Sequence, residues 1–347
     1  MTQGLRQAPP FTCGLAHAGR KRGFLSSSHV TKILATLRNT VYTARMSTNI
    51  PVQESLFKET TSPERQRIVN VASVKQRSPF RYPGGKTWLV PEVALWLSRK
   101  KRQAGHFVEL FAGGGIVGLT VAAERLADHV TMIELDPDVA SVWHTIFSDD
   151  AEWLARRILA FDLTAEHLQE TLSRPTTTKR EKAFQTILKN RTYHGGILAP
   201  GSAPLKSGEN GKGIASRWYP TTLARRIRNL IPLRDRITFI EGDALAYLED
   251  HLDDKTITFF IDPPYAAPGK SAGKRLYRFF EINHARLFDL CKVAAGDFMM
   301  TYDDAESVRD MAKSREFTIT KVPMKNTHHA EMYELLITPR DCVGGAA

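Results

Sequence analysis

Residues 256–265 read Thr-Ile-Thr-Phe-Phe-Ile-Asp-Pro-Pro-Tyr, and this stretch constrains the fold more than any other in the chain. Its first six residues are all β-branched or aromatic, and they run without a charge into Asp262. Such a run predicts a strand buried on both faces, as at the centre of a parallel sheet. Pro263 and Pro264 end it, because neither donates a ladder hydrogen bond and each fixes its own φ. Asp262 and Tyr265 therefore leave the carboxyl end of a central strand on stiff backbone, where open α/β sheets place their ligands.

That arrangement suits a ring-conjugated amino group, whose lone pair is delocalised into the ring and whose nitrogen is a poor nucleophile. The Asp262 carboxylate and the Pro263 carbonyl each offer an acceptor for one of its N–H bonds. Tyr265 offers a face for base stacking, worth about 1–3 kcal/mol per base. The plainer alternative is a strand-ending turn with an Asp and a Tyr at the surface. Chance alone puts Asp, Asn or Ser before Pro-Pro and an aromatic in about one chain in a hundred of this length. The flanking sequence decides.

Upstream, strand and helix signals alternate. His106–Phe111 predicts a strand, Ala112-Gly113-Gly114-Gly115 a turn, and Ile116 to about Ala127 a helix, the first unit of a doubly wound sheet. The glycines let a ligand approach the backbone closely. A second strand, His129–Glu134, ends in an acid 21 residues after Gly113, placed to accept hydrogen bonds from both ribose hydroxyls of an adenosine cofactor. Asp136 competes for that role and is expected instead to cap the next helix. Before these units, Gly84-Gly85-Lys86 predicts a tight loop opening a helix over residues 87–97. It lacks the spacing of a phosphate-binding P-loop, which excludes a nucleoside triphosphatase, and Lys86 reads as the partner of a carboxylate.

Downstream, Ile237–Asp243 repeats the strand-then-acid pattern before a helix over 244–252, and Asp243 is placed to accept from a cofactor adenine. Residues 266–275 read as a loop. A helix from His284 to Val293, a strand over Asp297–Tyr302 and a helix from Ala305 to Ser314 follow. Glu316–Met324 and Ala330–Thr338 alternate as an antiparallel hairpin. His328-His329 fall in its turn without partners at metal-ligand spacing, so no metal site is expected.

From about Trp143 to Arg236 the alternation breaks. Helices are expected over Ala151–Leu172 and Arg180–Lys189, then Asn190-Arg191-Thr192-Tyr193 and a glycine-rich loop over 195–213. Lys206, Lys212, Arg217 and Arg225 interleave with Trp218 and Tyr219, a composition that suits phosphate contacts and base stacking. A solvated helix face explains such composition more often in isolation. Its position, as an insertion between the second and third strands, favours the functional reading.

The chain of 347 residues has a net charge of +11, yet residues 1–45 carry seven basic and no acidic residues. The remainder holds 41 basic against 37 acidic residues, so charge alone does not identify a nucleic-acid binder. Residues 1–65 read as a disordered basic segment. They also suit a transit peptide, and the reading preferred here makes the first 45 residues lie upstream of a true start at Met46. Cys13, Cys291 and Cys342 are too far apart for a disulfide framework. No segment approaches a membrane span in length, and a soluble protein is expected.

With these motifs in order, residues 78–340 resemble the Dam-like adenine-specific DNA methyltransferases. Family members open with an aromatic and a Gly-Gly-Lys turn, here Tyr82 and Lys86. They continue with Val-Glu-Pro-Phe and a glycine turn, here Val108-Glu109-Leu110-Phe111 and Gly113. Their acidic ribose ligand falls on Glu134, one methylene longer than the usual Asp. Asn190, Arg191 and Tyr193 match the start of the family's target-recognition insertion, with His194 where asparagine is common. Tyr277, Phe280, His284 and Leu287 match a further run, in which His284 is read as structural.

The resemblance implies a Rossmann-like S-adenosylmethionine-dependent methyltransferase sheet over 76–143 and 232–340, with a mostly helical target-recognition insertion over 144–231. It implies methyl transfer from S-adenosylmethionine to N6 of an adenine flipped out of double-stranded DNA. Asp262, Pro263, Pro264 and Tyr265 are then the catalytic set. Tyr82, Lys86, Glu109, Phe111, Gly113, Glu134, Asp243 and Asp262 are the cofactor set. Asn190, Arg191, Tyr193, Lys206, Lys212, Arg217, Arg225 and Lys274 are the DNA contacts. A monomer in the cytoplasm of a bacterial or phage-infected cell, bound to nucleoid DNA, is expected, with a cognate restriction endonuclease as a candidate partner. Rival readings are a cytosine-N4 or RNA methyltransferase on the same fold, a nicotinamide-dependent oxidoreductase, and a catalytically silent DNA-binding protein.

Overall fold

The computed structural model describes residues 69, 71–100, 104–264, 275–325 and 331–340. Expectations for residues 1–65, for Tyr265 and Lys274 and for the His328-His329 turn lie outside them. Seven strands form one sheet: β1 (Ala104–Glu109), β2 (Ala127–Glu134), β3 (Ile237–Glu241), β4 (Ile257–Ile261), β5 (Asp297–Asp303), β6 (Thr318–Lys325) and β7 (Glu331–Thr338). Their order is β3-β2-β1-β4-β5-β7-β6. The first five in that order are parallel, and β7 pairs antiparallel with both β5 and β6. This is the Rossmann-like sheet with an antiparallel C-terminal hairpin that the sequence predicts. The chain runs outward from β1 to β3, then returns beside β1 with β4, so the crevice between β1 and β4 is a topological switch point.

Side-chain alternation splits the core between the two faces. Phe107, Met132, Phe260 and Met299 point to one face, and their neighbours Val108, Ile133, Phe259 and Phe298 to the other. All five residues of β4 are buried. The first face carries α1 (Val90–Ser98), α2 (Ile116–Glu124) and α3 (Pro137–Ile146). The second carries α8 (Ala244–Asp250), α9 (His284–Val293) and α10 (Glu306–Ser314).

Between β2 and β3 lie α4 (Ala151–Leu159), α5 (Ala165–Ser173), α6 (Lys179–Thr192) and α7 (Pro220–Leu230). α6 packs on α3 and α7 on α4. Leu154, Ile158, Ile187, Leu223 and Ile227 belong to the same apolar cluster as Phe107 and Met132, so the insertion shares its core with one face of the sheet.

The single helix expected over Ala151–Leu172 is two. Thr164 takes an extended conformation and its hydroxyl caps α5 at His167 N. Phe161, in the break, packs its ring against Phe184 and Trp218. The helix expected to reach Ala127 stops at Glu124, where Arg125 turns to φ +56° and frees Ala127 to start β2. No helix among the described residues is long and apolar enough to cross a membrane.

Candidate active site

The turns that follow β1 to β4 converge on one cavity of about 320 Å³, a size usual for a small-molecule site. Residues 82–86, 276–279, 281 and 282 also line it. The first turn is held on both sides, since Leu110 N donates to Phe260 O and Ala112 N to Ile133 O. Gly115 then sits at φ +63°, where a side chain is strained, and a Cβ there would press on Met132 Cε and the Trp143 ring. Trp143 is fully buried and its Nε1 donates to Gly113 O at 2.9 Å. The Tyr82 ring lies on the same turn, so close that a Cβ on Gly113 would stand 2.5 Å from Tyr82 Cε1.

Glu134 faces the glycine turn. Its Oε2 accepts from Gly113 N and its Oε1 from Asp136 N, both at 2.8 Å. A carboxylate has about four acceptor sites, so these bonds leave capacity for a ribose hydroxyl. Burial pushes the Glu134 carboxyl up to about 7, against the backbone hydrogen bond from Asp136 that favours the anion. Asp136 caps α3 at Asp138 N, as its position predicts.

Glu109 lines the cavity, but its carboxylate turns beneath α2, where Oε2 accepts from Gly118 N at 2.9 Å. Burial raises it to about 8. Asp243 also lines the cavity and spends Oδ1 on capping α8 at Ala246 N. Phe111 lies on the lining, and Leu135 and Phe279, 42% and 45% exposed, offer apolar faces to a flat ring.

At the end of β4, Asp262 is fixed from two sides. Lys86 Nζ stands 2.9 Å from Asp262 Oδ1 and 3.6 Å from Glu334 Oε2, and donates to Gly84 O at 3.1 Å. Thr301 of β5 donates its hydroxyl to Asp262 Oδ1 at 2.7 Å. Lys86, Thr301 and Glu334 are buried, whereas Asp262 keeps 20% of its side chain exposed. Pro263 and Pro264 follow on the cavity wall. The roof is tied down by Tyr277, whose hydroxyl donates to Pro83 O at 2.9 Å, and by Arg278, 3.1 Å from Asp138.

The expected DNA contacts divide. Asn190 is corrected: it is fully buried, accepts from Arg81 N, and donates to Arg81 O and Gly196 O. Arg191 is corrected as a direct contact too, being 5% exposed with Nη2 donating to Pro79 O. Both lie in the last turn of α6 and hold the 78–81 segment. Tyr193 is half-buried, with Lys189 above its ring, and Arg217 is half-buried. Lys206, Lys212 and Arg225 are exposed on the insertion. His284 lies behind β5, where Nδ1 is 2.9 Å from the Tyr302 hydroxyl and burial lowers its pKa.

Sequence reasoning missed Trp143, Thr301, Glu334 and Arg278. Glu334 carried a signal: an acid at an inward position of the apolar run Met332–Thr338.

The residues fit S-adenosylmethionine. Eight acidic residues line the cavity against two basic ones, Lys86 and Arg278, an environment that favours a sulfonium and an ammonium and disfavours a pyrophosphate. No curated protein matches the chain. Among solved structures, the chain is similar to an rRNA methyltransferase from Streptomyces viridochromogenes, at 13% identity and a TM-score of 0.34, over 76% of this chain and 88% of that one. It is also similar to a precorrin-6y C5,15-methyltransferase from Geobacter metallireducens, at 11% identity and a TM-score of 0.30, over 72% of this chain and 88% of that one. Residues 82–195, which hold Tyr82, Lys86, the glycine turn, Glu134 and Asn190–Tyr193, match the family model of the D12 class N6 adenine-specific DNA methyltransferases, in agreement with the resemblance that the motifs carry.

Proposed function

We propose that the protein methylates the N6 amino group of an adenine flipped out of double-stranded DNA, using S-adenosylmethionine. The observation that carries the reading is the state of Asp262. Both of its bonds, from Lys86 and Thr301, fall on Oδ1, so Oδ2 is left to accept an amine hydrogen at the edge of the cavity. The Pro263 carbonyl follows on the same stiff backbone and can take the second hydrogen. Two acceptors hold the nitrogen with its lone pair turned out of conjugation.

When bound, S-adenosylmethionine supplies an electrophilic methyl group on a sulfonium. Glu134 would hold its ribose, Phe111 and Leu135 would offer apolar faces to its adenine, and the surplus of acidic residues would favour its positive charge. Lys86 and Thr301 hold Oδ1 of Asp262, which keeps its carboxyl stationary and turns Oδ2 to the amine. Extruding a base costs a few kcal/mol, which stacking and hydrogen bonds in the pocket offset. The acidic lining speaks against a nicotinamide dinucleotide, whose pyrophosphate would meet eight acidic residues and only two basic ones. A cytosine-N4 enzyme of this architecture generally carries Ser where Asp262 stands.

Asp262→Ala tests the assignment. Methyl transfer to duplex DNA by the full chain should disappear while DNA affinity is largely kept. Near-normal turnover in that variant would show that Asp262 does not orient the amine.

A further inference from the structure

We propose that Asn190, on the insertion and outside the cavity, is a positioning residue for the cofactor: through the Arg81 backbone it holds the Tyr82 ring on the glycine turn. The role rests on the S-adenosylmethionine assignment and not on which base or nucleic acid is methylated.

Residues 75–82 form no helix or strand, so their backbone polar groups need partners from elsewhere. The insertion supplies several. Arg226 Nη1 donates to Ser78 O at 2.9 Å, and Arg191 Nη2 to Pro79 O. Asn190 takes both polar groups of Arg81, accepting from its N and donating to its O, each at 2.9 Å. A further Nδ2 bond goes to Gly196 O at 2.7 Å, so both amide hydrogens are used. Gly196 itself turns at φ +76°, where a side chain is strained and a Cβ would press on Arg81 O. Asn190 is fully buried, so its side chain meets no nucleic acid and acts only through these bonds.

The next peptide carries their effect to the cavity. Arg81 O lies in one plane with the N and Cα of Tyr82, so holding that carbonyl sets where the Tyr82 side chain leaves the backbone. The ring lines the cavity and lies on the glycine turn: a Cβ on Gly113 would stand 2.5 Å from Tyr82 Cε1, and one on Gly114 2.8 Å from Tyr82 Cβ. Phe80, just before it, is buried with its ring 5.4 Å from that of Trp143, which donates to Gly113 O. Segment 78–82 thus joins the end of α6 to the turn that the cofactor meets. A residue that only satisfied buried polar groups would leave cofactor affinity unchanged in a folded variant.

Calorimetric binding of S-adenosylmethionine to the full chain tests this in a double-variant cycle. Asn190→Ser keeps a hydroxyl but cannot span both polar groups of Arg81. It should bind about tenfold more weakly while its urea transition stays cooperative. Tyr82→Leu should weaken binding too. Adding Asn190→Ser to it should change affinity by no more than about twofold, since the ring through which Asn190 acts is gone. Unchanged affinity in folded Asn190→Ser overturns the proposal, and so does a full loss that persists in the Tyr82→Leu background. If Asn190→Ser does not fold, hydrogen exchange of the unaltered chain decides. The cofactor should then slow exchange in residues 78–82 and 190–196 together, and slowing in 78–82 alone overturns the proposal. An unaltered chain that binds no S-adenosylmethionine overturns the cofactor assignment as well, whereas binding indifferent to Asn190 leaves that assignment standing.

Discussion

Lys86→Met removes a cation in contact with two carboxylates, Asp262 at 2.9 Å and Glu334 at 3.6 Å. Breaking a buried pair by deleting one partner costs about 3–5 kcal/mol, because the other charge is left uncompensated. Glu334 is 7% exposed and Asp262 20%, and Asp262 keeps some solvent and the Thr301 hydroxyl. The expected loss is therefore about 3 kcal/mol, at the lower end of that range. Glu334→Gln alone leaves Lys86 paired with Asp262 and should cost about 1 kcal/mol. The double variant removes both members of the second pair, so it should be more stable than the sum of the single losses predicts by about 1–3 kcal/mol. Urea unfolding of the three variants measures this directly, with a constant m-value as the check on two-state behaviour. Methyl transfer should fall steeply in Lys86→Met, since Asp262 loses the contact that fixes its carboxyl at the cavity edge. If the losses of the two single variants simply add, Lys86 does not couple Asp262 to Glu334 and this account of the site is wrong.

Further expectations concern the cofactor turn and the insertion. Glu134 sits at about 7 and Glu109 at about 8 in the folded protein, against 4.5 ordinarily. Both are raised, so their contribution to stability is full below about 4.5 and is lost as pH rises through 7 and 8. The urea midpoint of the cofactor-free protein should fall over that window, and Glu109→Gln should flatten the decline; a midpoint that rises contradicts the burial argument. Ionised Glu134 is the better acceptor for ribose, so cofactor affinity should increase through pH 7, and a flat calorimetric profile removes Glu134 as the ribose ligand. Trp143→Phe strands Gly113 O in the core and should cost about 1–3 kcal/mol together with weaker cofactor binding. Unchanged cofactor affinity there means that the turn needs no anchor. Asn190→Ala removes three hydrogen bonds, one buried and two part-buried, and should destabilise the fold by about 3 kcal/mol without altering the recognised sequence. An altered recognition sequence in a stable variant would restore Asn190 as a DNA contact.

The parallel sheet was legible because buried parallel strands are written as apolar runs: β4 is buried along its whole length, and its Asp262 emerges where the two prolines require. Glu134 was legible because the step from a glycine turn to the end of the next strand has a fixed geometry, and its carboxylate does meet Gly113 N. Asn190 and Arg191 misled because a polar pair before a glycine loop gives no sign of which way its side chains turn. Both face inward on the last turn of α6 and use their polar atoms on residues 79–81 and 196. Trp143, Thr301 and Glu334 act on partners far away in the chain, across strands whose register no local pattern fixes. The break between α4 and α5 rests on one threonine cap and a phenylalanine that packs against later residues, signals too weak beside a continuous helical period.

The central claim is that Asp262 and its surroundings methylate adenine in DNA. Producing the full chain in cells that lack adenine methylation, then mapping modified bases on their genomic DNA, tests it in one measurement. N6-methyladenine confined to one short sequence motif, and absent with Asp262→Ala, is the predicted result. N4-methylcytosine, or no methylated DNA base from a protein that binds S-adenosylmethionine, contradicts it.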